Sequence, residues 1–202
     1  MTDGAHPGPP RPTPREHTPR ARQIIDAARV MVEAVGSDGL TMRRLADELG
    51  IRAPSLYKHF DGRPALELAL VELALDETGL AMHAAVQASS DDPVGDLLRA
   101  YRTMGLANPE LYRLITAGSF PRAGLLPGLE AWAGEPFFSA VGEPHLAQAL
   151  WSFAHGTLIL ELDRRFLDRS DLDQTWRAGT QVFDAARLAL HGTPSGRTRP
   201  SS

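Results

Sequence analysis

The sequence predicts an all-α protein. Apolar residues recur at three- and four-residue spacing along most of the chain, no segment alternates with period two, and capping residues precede most of the periodic runs. Of its 202 residues 43% are apolar and 23% charged, enough to build a sizeable core. Cysteine is absent, which excludes disulfides, thiolate metal sites and cysteine nucleophiles. No apolar run approaches the roughly 20 residues of a membrane span. The N-terminus lacks the apolar core of a secretory signal. The expectation is a cytoplasmic protein with no membrane partner, no cofactor and no metal.

The elements follow in order. Residues 1–18 are rich in Pro, Gly and charge, and are expected to form a disordered arm. Thr18 as N-cap and Pro19 at the first helical position start a helix. Ile24, Ala27, Ala28, Met31, Val32 and Val35 give it one apolar face, and Gly36 ends it. Thr41 caps a second, short helix, "MRRLADEL", which Gly50 stops. "PSLYKHF" forms a third. Asp61 is expected to cap a longer helix from about Arg63 to Ala88. Another starts at Pro93 and ends near "ANPE", where Asn108-Pro109 opens the short "ELYRLIT" helix. The stretch 118–145 is interrupted by Pro121, Pro127, Pro136 and Pro144. One helix is expected there, about Leu125 to Ala133, with its continuation past Pro136 open. Two long helices, about Pro144–Leu167 and Leu172–His191, close the fold. The tail 193–202 is again disordered in character. About nine helices result, divided into a head at 19–63 and a body at 64–192.

Charge is divided in the same way. Residues 1–63 carry 10 Lys and Arg against 8 Asp and Glu, whereas residues 64–202 carry 11 against 17. A basic head on an acidic body suits a head that meets nucleic acid. Within the head the spacing is that of a helix-turn-helix. Leu45, Ala46 and Leu49 line one helix face, and small Ala46 lets the next helix cross closely. Gly50 supplies the left-handed turn, and Ile51 and Leu56 face inward. Pro54 then presets the first turn of a recognition helix. The N-terminal residues of such a helix meet base edges in the major groove, here Arg52, Ala53, Pro54, Ser55 and Lys58. Tyr57 and His59 suit phosphate contact, as does Thr41 at a helix N-terminus.

The segment "GLTMRRLADELGIRAPSLYKHFDGRPALELAL" resembles the N-terminal domain of the TetR family of bacterial transcriptional regulators. The preceding "RARQIIDAARVMVEAVGSDGLT" resembles that family's first helix. Residue by residue, the resemblance implies DNA contacts at Thr41, Arg43, Arg52, Ala53, Pro54, Ser55, Tyr57, Lys58, His59 and Arg63. Arg63 stands where the family often has lysine. Ala53 offers only apolar contact, for example to a thymine methyl.

The resemblance further implies a helical body with an effector cavity and a dimer interface. "ALWSFAHGTLILELDRRF" (Ala149–Phe166) resembles the Trp-His-Gly type of TetR-like C-terminal domain, through Trp151, His155 and Gly156. Tyr101, Met104, Tyr112, Trp132, Phe137, Phe138, Trp151 and His155 lie where such a cavity is expected. The helix from about Pro144 is apolar almost all round between Leu146 and Leu162, and the last helix has one apolar face. They suit a four-helix bundle across a two-fold axis, with Gly156, Trp176, Gly179, Val182, Phe183 and Ala186 at the interface.

The resulting expectation is a homodimeric, ligand-responsive repressor on a near-palindromic DNA operator, released by a small molecule. The competing readings are an all-α binding protein or enzyme using the same cavity, and a TetR-like activator without an effector. The body shows no polar constellation of the kind an enzyme needs, so no catalytic residue is expected.

Overall fold

The computed structural model describes residues 8–89, 91–117 and 120–191. They form nine α-helices and two short 3-10 turns, with no strand among them. Residues 1–7 and the 193–202 tail lie outside the described residues.

The head comprises α1 (Pro19–Val35), α2 (Met42–Glu48) and α3 (Ala53–Leu56). Both predicted threonine caps form: Thr18 Oγ1 accepts from the Ala21 N–H and Thr41 Oγ1 from the Arg44 N–H, each at 3.2 Å. Ile24, Ala28, Val32, Leu45 and Leu56 are sealed from solvent. Leu66, Leu70 and Ala74 complete the same cluster from α4 (Gly62–Ala88). The side chain of Asp61 makes no capping bond to α4.

The helix α4 touches α1, α5 (Pro93–Ala107), α6 (Pro109–Ala117) and α7 (Leu129–Val141), which explains an apolar surface on several sides. The start of α7 differs from expectation, at Leu129 rather than about Leu125. Leu125 is extended and Gly128 is left-handed (φ 83°), so the stretch before α7 is a turn. The helix also continues through Pro136. A proline leaves the carbonyl four residues earlier without its helical partner. That carbonyl belongs to Trp132, and His83 Nε2 bonds it from α4 at 3.0 Å.

Two helices finish the body: α8 (Pro144–Leu162) and α9 (Leu172–His191). Glu143 caps α8 by accepting from the His145 and Leu146 N–H groups at 3.0 and 2.6 Å. The end of α8 comes five residues before the expected Leu167, because Arg164 turns left-handed at φ 51°. Arg102 ties α5 to Glu161 of α8 at 2.7 Å and to Asp173 of α9 at 2.6 Å. Trp176 Nε1 donates to the same Glu161 at 2.8 Å.

Residues 8–18 depart from the expected disordered arm. They form no helix, but they are strapped across the body. Arg11 makes a bidentate pair with Asp76 of α4 at 2.8 and 2.7 Å, and lies over the Trp132 ring of α7. Arg15 bonds Glu72 at 3.0 Å and the Gly124 carbonyl at 2.8 Å. Composition suggested disorder because the segment has little to bury. The carboxylates of α4 hold it through charge instead.

Candidate nucleic-acid interface and effector cavity

The turn that aims α3 is set by backbone bonds. Gly50 is left-handed at φ 63°. Its N–H donates to the Asp47 carbonyl at 3.1 Å, and the Ile51 N–H donates to the Ala46 carbonyl at 2.9 Å. These are the two bonds of a Schellman helix end. Ala46 thus supplies both the small side chain and an acceptor. Ala53 opens α3 and Pro54 is its second residue, one place later than expected. Leu56 at 0% and Phe60 at 6% exposure anchor this short element. Tyr57, between them in sequence, is 56% exposed.

Thr41, Arg43, Arg52, Pro54, Lys58 and His59 are also exposed, whereas Ala53, Ser55 and Arg63 are half-buried. The Arg63 guanidinium bonds Glu67 Oε1 at 2.7 Å, so its charge is already paired within the chain. Arg44, which the sequence reading did not single out, is exposed and donates to the Gly39 carbonyl at 3.0 Å. That bond holds the loop in front of α2.

A cavity of about 480 Å³ lies in the body. Tyr101, Tyr112, Phe137, Phe138, Trp151 and His155 line it, as expected from the sequence. Met104 and Trp132 do not. Met104 faces a narrow crevice beside Arg29 and Glu77. Trp132 is turned toward α4, where it stacks on His83 at 4.8 Å between centroids. A side chain at Gly79 would overlap its ring. Sequence reasoning missed Leu75, Thr78 and Met82 of α4, Ile115 and Thr116 of α6, and Ala133 and Gly134 of α7. These are ordinary core-type residues, with no local pattern to mark them. Arg122 and Glu130 close one rim as an ion pair at 2.5 Å.

One wall of the cavity carries a hydrogen-bonded row. Tyr112 Oη lies 2.8 Å from Tyr101 Oη and 2.7 Å from His155 Nδ1. Burial pushes the Tyr101 hydroxyl up to about 12, and raises Tyr112 as well. Burial lowers His155, so its ring is neutral at pH 7.

On its far side α6 meets the head. Leu111 and Leu114 are buried in the head cluster, while Tyr112, Ile115 and Thr116 face the cavity. Glu33 of α1 accepts from the Glu110 and Leu111 N–H groups at 3.2 and 2.9 Å. A carboxylate on two free N–H groups suits the positive end of a helix. Arg29 adds a bond to Asn108 Oδ1 at 3.0 Å.

Two residues expected at a dimer interface are occupied inside the chain. Trp176 is 6% exposed and bonded to Glu161. Gly179 is small because the Phe153 ring fills the space where its side chain would be. Phe183 is half-buried and packs on the same ring, and Ala186 is half-buried. Val182 is 65% exposed, and nothing occupies the space beside Gly156.

The model of the bacterial regulatory proteins of the tetR family matches residues 24–70. A tetracycline repressor protein of class A from transposon 1721 of Escherichia coli is 32% identical over 78% of this chain and 71% of its own length. An uncharacterised helix-turn-helix transcriptional regulator of Mycobacterium tuberculosis is 31% identical over 69% of this chain and 68% of its own. In structure, a TetR variant from Acinetobacter baumannii, solved in complex with minocycline, superposes with a TM-score of 0.61 at 23% identity, covering 85% of this chain and 98% of that one. The chain therefore belongs to the TetR family, and it is a DNA-binding transcriptional regulator. No helix of the described residues is long and apolar enough to cross a membrane.

Proposed function

We propose that this regulator is a homodimeric repressor that leaves a near-palindromic operator when a small molecule fills the cavity. The observation that carries the reading is the placement of α6, with one face in the cavity and the other in the head core. A ligand that shifts Tyr112, Ile115 and Thr116 must also shift Leu111 and Leu114. The bonds of Glu33 and Arg29 pass that shift to α1. The ligand then favours whichever state it binds better, in proportion to the difference in affinity. The likeness to a protein named as a tetracycline repressor supports repression.

In this reading Arg52, Pro54 and Lys58 of the head 19–63 meet base edges, and Thr41, Arg43, Tyr57 and His59 meet phosphates. Arg63 must leave Glu67, or share it, to reach the backbone. Two heads, one per protomer, meet successive major grooves. The protomers join through α8 and α9, where Trp151, Leu160 and Val182 are exposed apolar residues and Gly156 leaves room for a close approach.

An electrophoretic shift with DNA from beside the chain's own gene tests the reading. A retarded band is expected, with two-fold symmetric protection in a footprint. Absence of binding to any DNA at low salt would sink it.

A further inference from the structure

The row of polar groups on the cavity wall has one consistent order of protons. Each tyrosine hydroxyl has a single hydrogen. If His155 Nδ1 donated to Tyr112, one tyrosine hydrogen would be left over: that of Tyr112 where Tyr101 also donates to it, or that of Tyr101 where Tyr112 donates. Both tyrosines are buried, and no acceptor for the leftover hydrogen lies among the described residues. In the opposite order every hydrogen is used: Tyr101 donates to Tyr112, and Tyr112 donates to His155 Nδ1. A neutral imidazole that accepts at Nδ1 carries its proton on Nε2. No hydrogen-bond partner meets Nε2 among the described residues, and the atom is not sealed from solvent.

The cavity's charges are equally restrictive. Arg122 and Glu130 are the only charged residues among those lining it, and they bond each other. The remaining side-chain polar groups are hydroxyls, one amide, the imidazole and the Trp151 indole N–H, which bonds the Tyr101 hydroxyl. A ligand charge would enter without an unpaired partner, at a desolvation cost. A neutral ligand with one acceptor loses little and gains the imidazole donor.

We propose that the effector is a neutral, largely apolar compound whose carbonyl-type oxygen accepts a hydrogen bond from His155 Nε2–H, with Tyr112 and Tyr101 fixing that tautomer. The proposal rests on the cavity being the effector site. His155 then decides specificity, and Tyr112 acts through it as a positioning residue.

Matched ketone and methylene compounds test the assignment: 9-fluorenone against fluorene, and xanthone against xanthene. Binding is followed by quenching of tryptophan emission, since Trp151 lines the cavity. Hydrophobic transfer alone favours the methylene members. A hydrogen bond to Nε2 should reverse this and make the ketones roughly 5- to 10-fold tighter. The preference should vanish in His155→Phe, return in part in His155→Gln, whose amide can donate, and weaken in Tyr112→Phe. The cationic 9-aminofluorene should bind more weakly than fluorene. Melting curves identify any variant that fails to fold, and the comparison within wild type does not depend on the variants. Equal binding of ketone and methylene members, or a preference that survives His155→Phe, overturns the donor assignment while leaving the cavity reading intact. If no member of either pair binds, the cavity reading itself falls, and the proposal with it.

Discussion

Two helix ends, one in the head and one in the body, use the same hydrogen-bond pattern with different residues. At the end of α2, Gly50 turns left-handed, and the bonds run from Gly50 to Asp47 and from Ile51 to Ala46. At the end of α8, Arg164 turns left-handed, and the bonds run from Arg164 to Glu161 and from Arg165 to Leu160. Glycine adopts that conformation freely, whereas arginine has a side chain that crowds the backbone. The head therefore shows its turn in the sequence, and the body hides its own. The same contrast runs through the two sites. The proposed DNA-reading face is assembled within one short segment by turn chemistry. The cavity is assembled by packing of α4 to α8, from residues up to 80 positions apart.

The largest effect that tests the contrast is Leu56→Ala. Its side chain is fully buried and holds a helix of four residues. A loss of about 2–5 kcal/mol is expected in denaturant unfolding, together with loss of DNA binding. If DNA binding survives, α3 is held by something other than Leu56.

Next come the exposed side chains beside it. Lys58→Ala should cost about 1–3 kcal/mol in operator affinity and relax sequence preference, read by anisotropy on operator and scrambled DNA. Tyr57→Ala should weaken both DNAs alike. Unchanged binding by Lys58→Ala would remove it from the base-facing set.

The two helix ends should respond with opposite sign. Gly50→Ala should destabilise by about 1–2 kcal/mol, and Arg164→Gly should stabilise by about 1 kcal/mol or less, in matched melts. Equal signs would break the equivalence of the two turns.

A smaller effect concerns pH. Burial lowers His155 in the folded protein from its ordinary value of 6.5. Below about pH 6.5 the unfolded chain binds a proton that the folded chain refuses, so this contribution to stability is lost as pH falls from there. Melting temperature across that window should fall less steeply in His155→Phe than in the parent.

Smallest is the strap. Arg11 is paired with Asp76 but solvent-exposed, so Arg11→Ala should cost about 1 kcal/mol or less in a melt.

What the sequence disclosed follows the range of the interactions involved. Thr18, Thr41, Gly50 and Pro93 act within a turn of their own positions, and most helix starts were legible from them. Asp61 misled, because a capping residue only permits a boundary, and the helix expected from about Leu125 ran through Pro127. The start of α7 was set by Gly128 beyond it. The sequence left the continuation past Pro136 open, since nothing local reveals that His83, 49 positions before Trp132, bonds the Trp132 carbonyl. Trp132 and Trp151 are alike as residues, yet the first turns to α4 and the second lines the cavity. Gly179 suggested close approach of a second chain, but Phe153 of the same chain takes the space.

The coupling of cavity to head through α6 is the central claim. Its most direct measurement is operator affinity by anisotropy, with and without a saturating ring ketone that quenches tryptophan emission. The account predicts at least a roughly 10-fold weaker operator complex with the cavity filled, and a smaller ratio in Glu33→Ala, which unfastens α6 from α1. Equal operator affinity with the cavity filled and empty would contradict it.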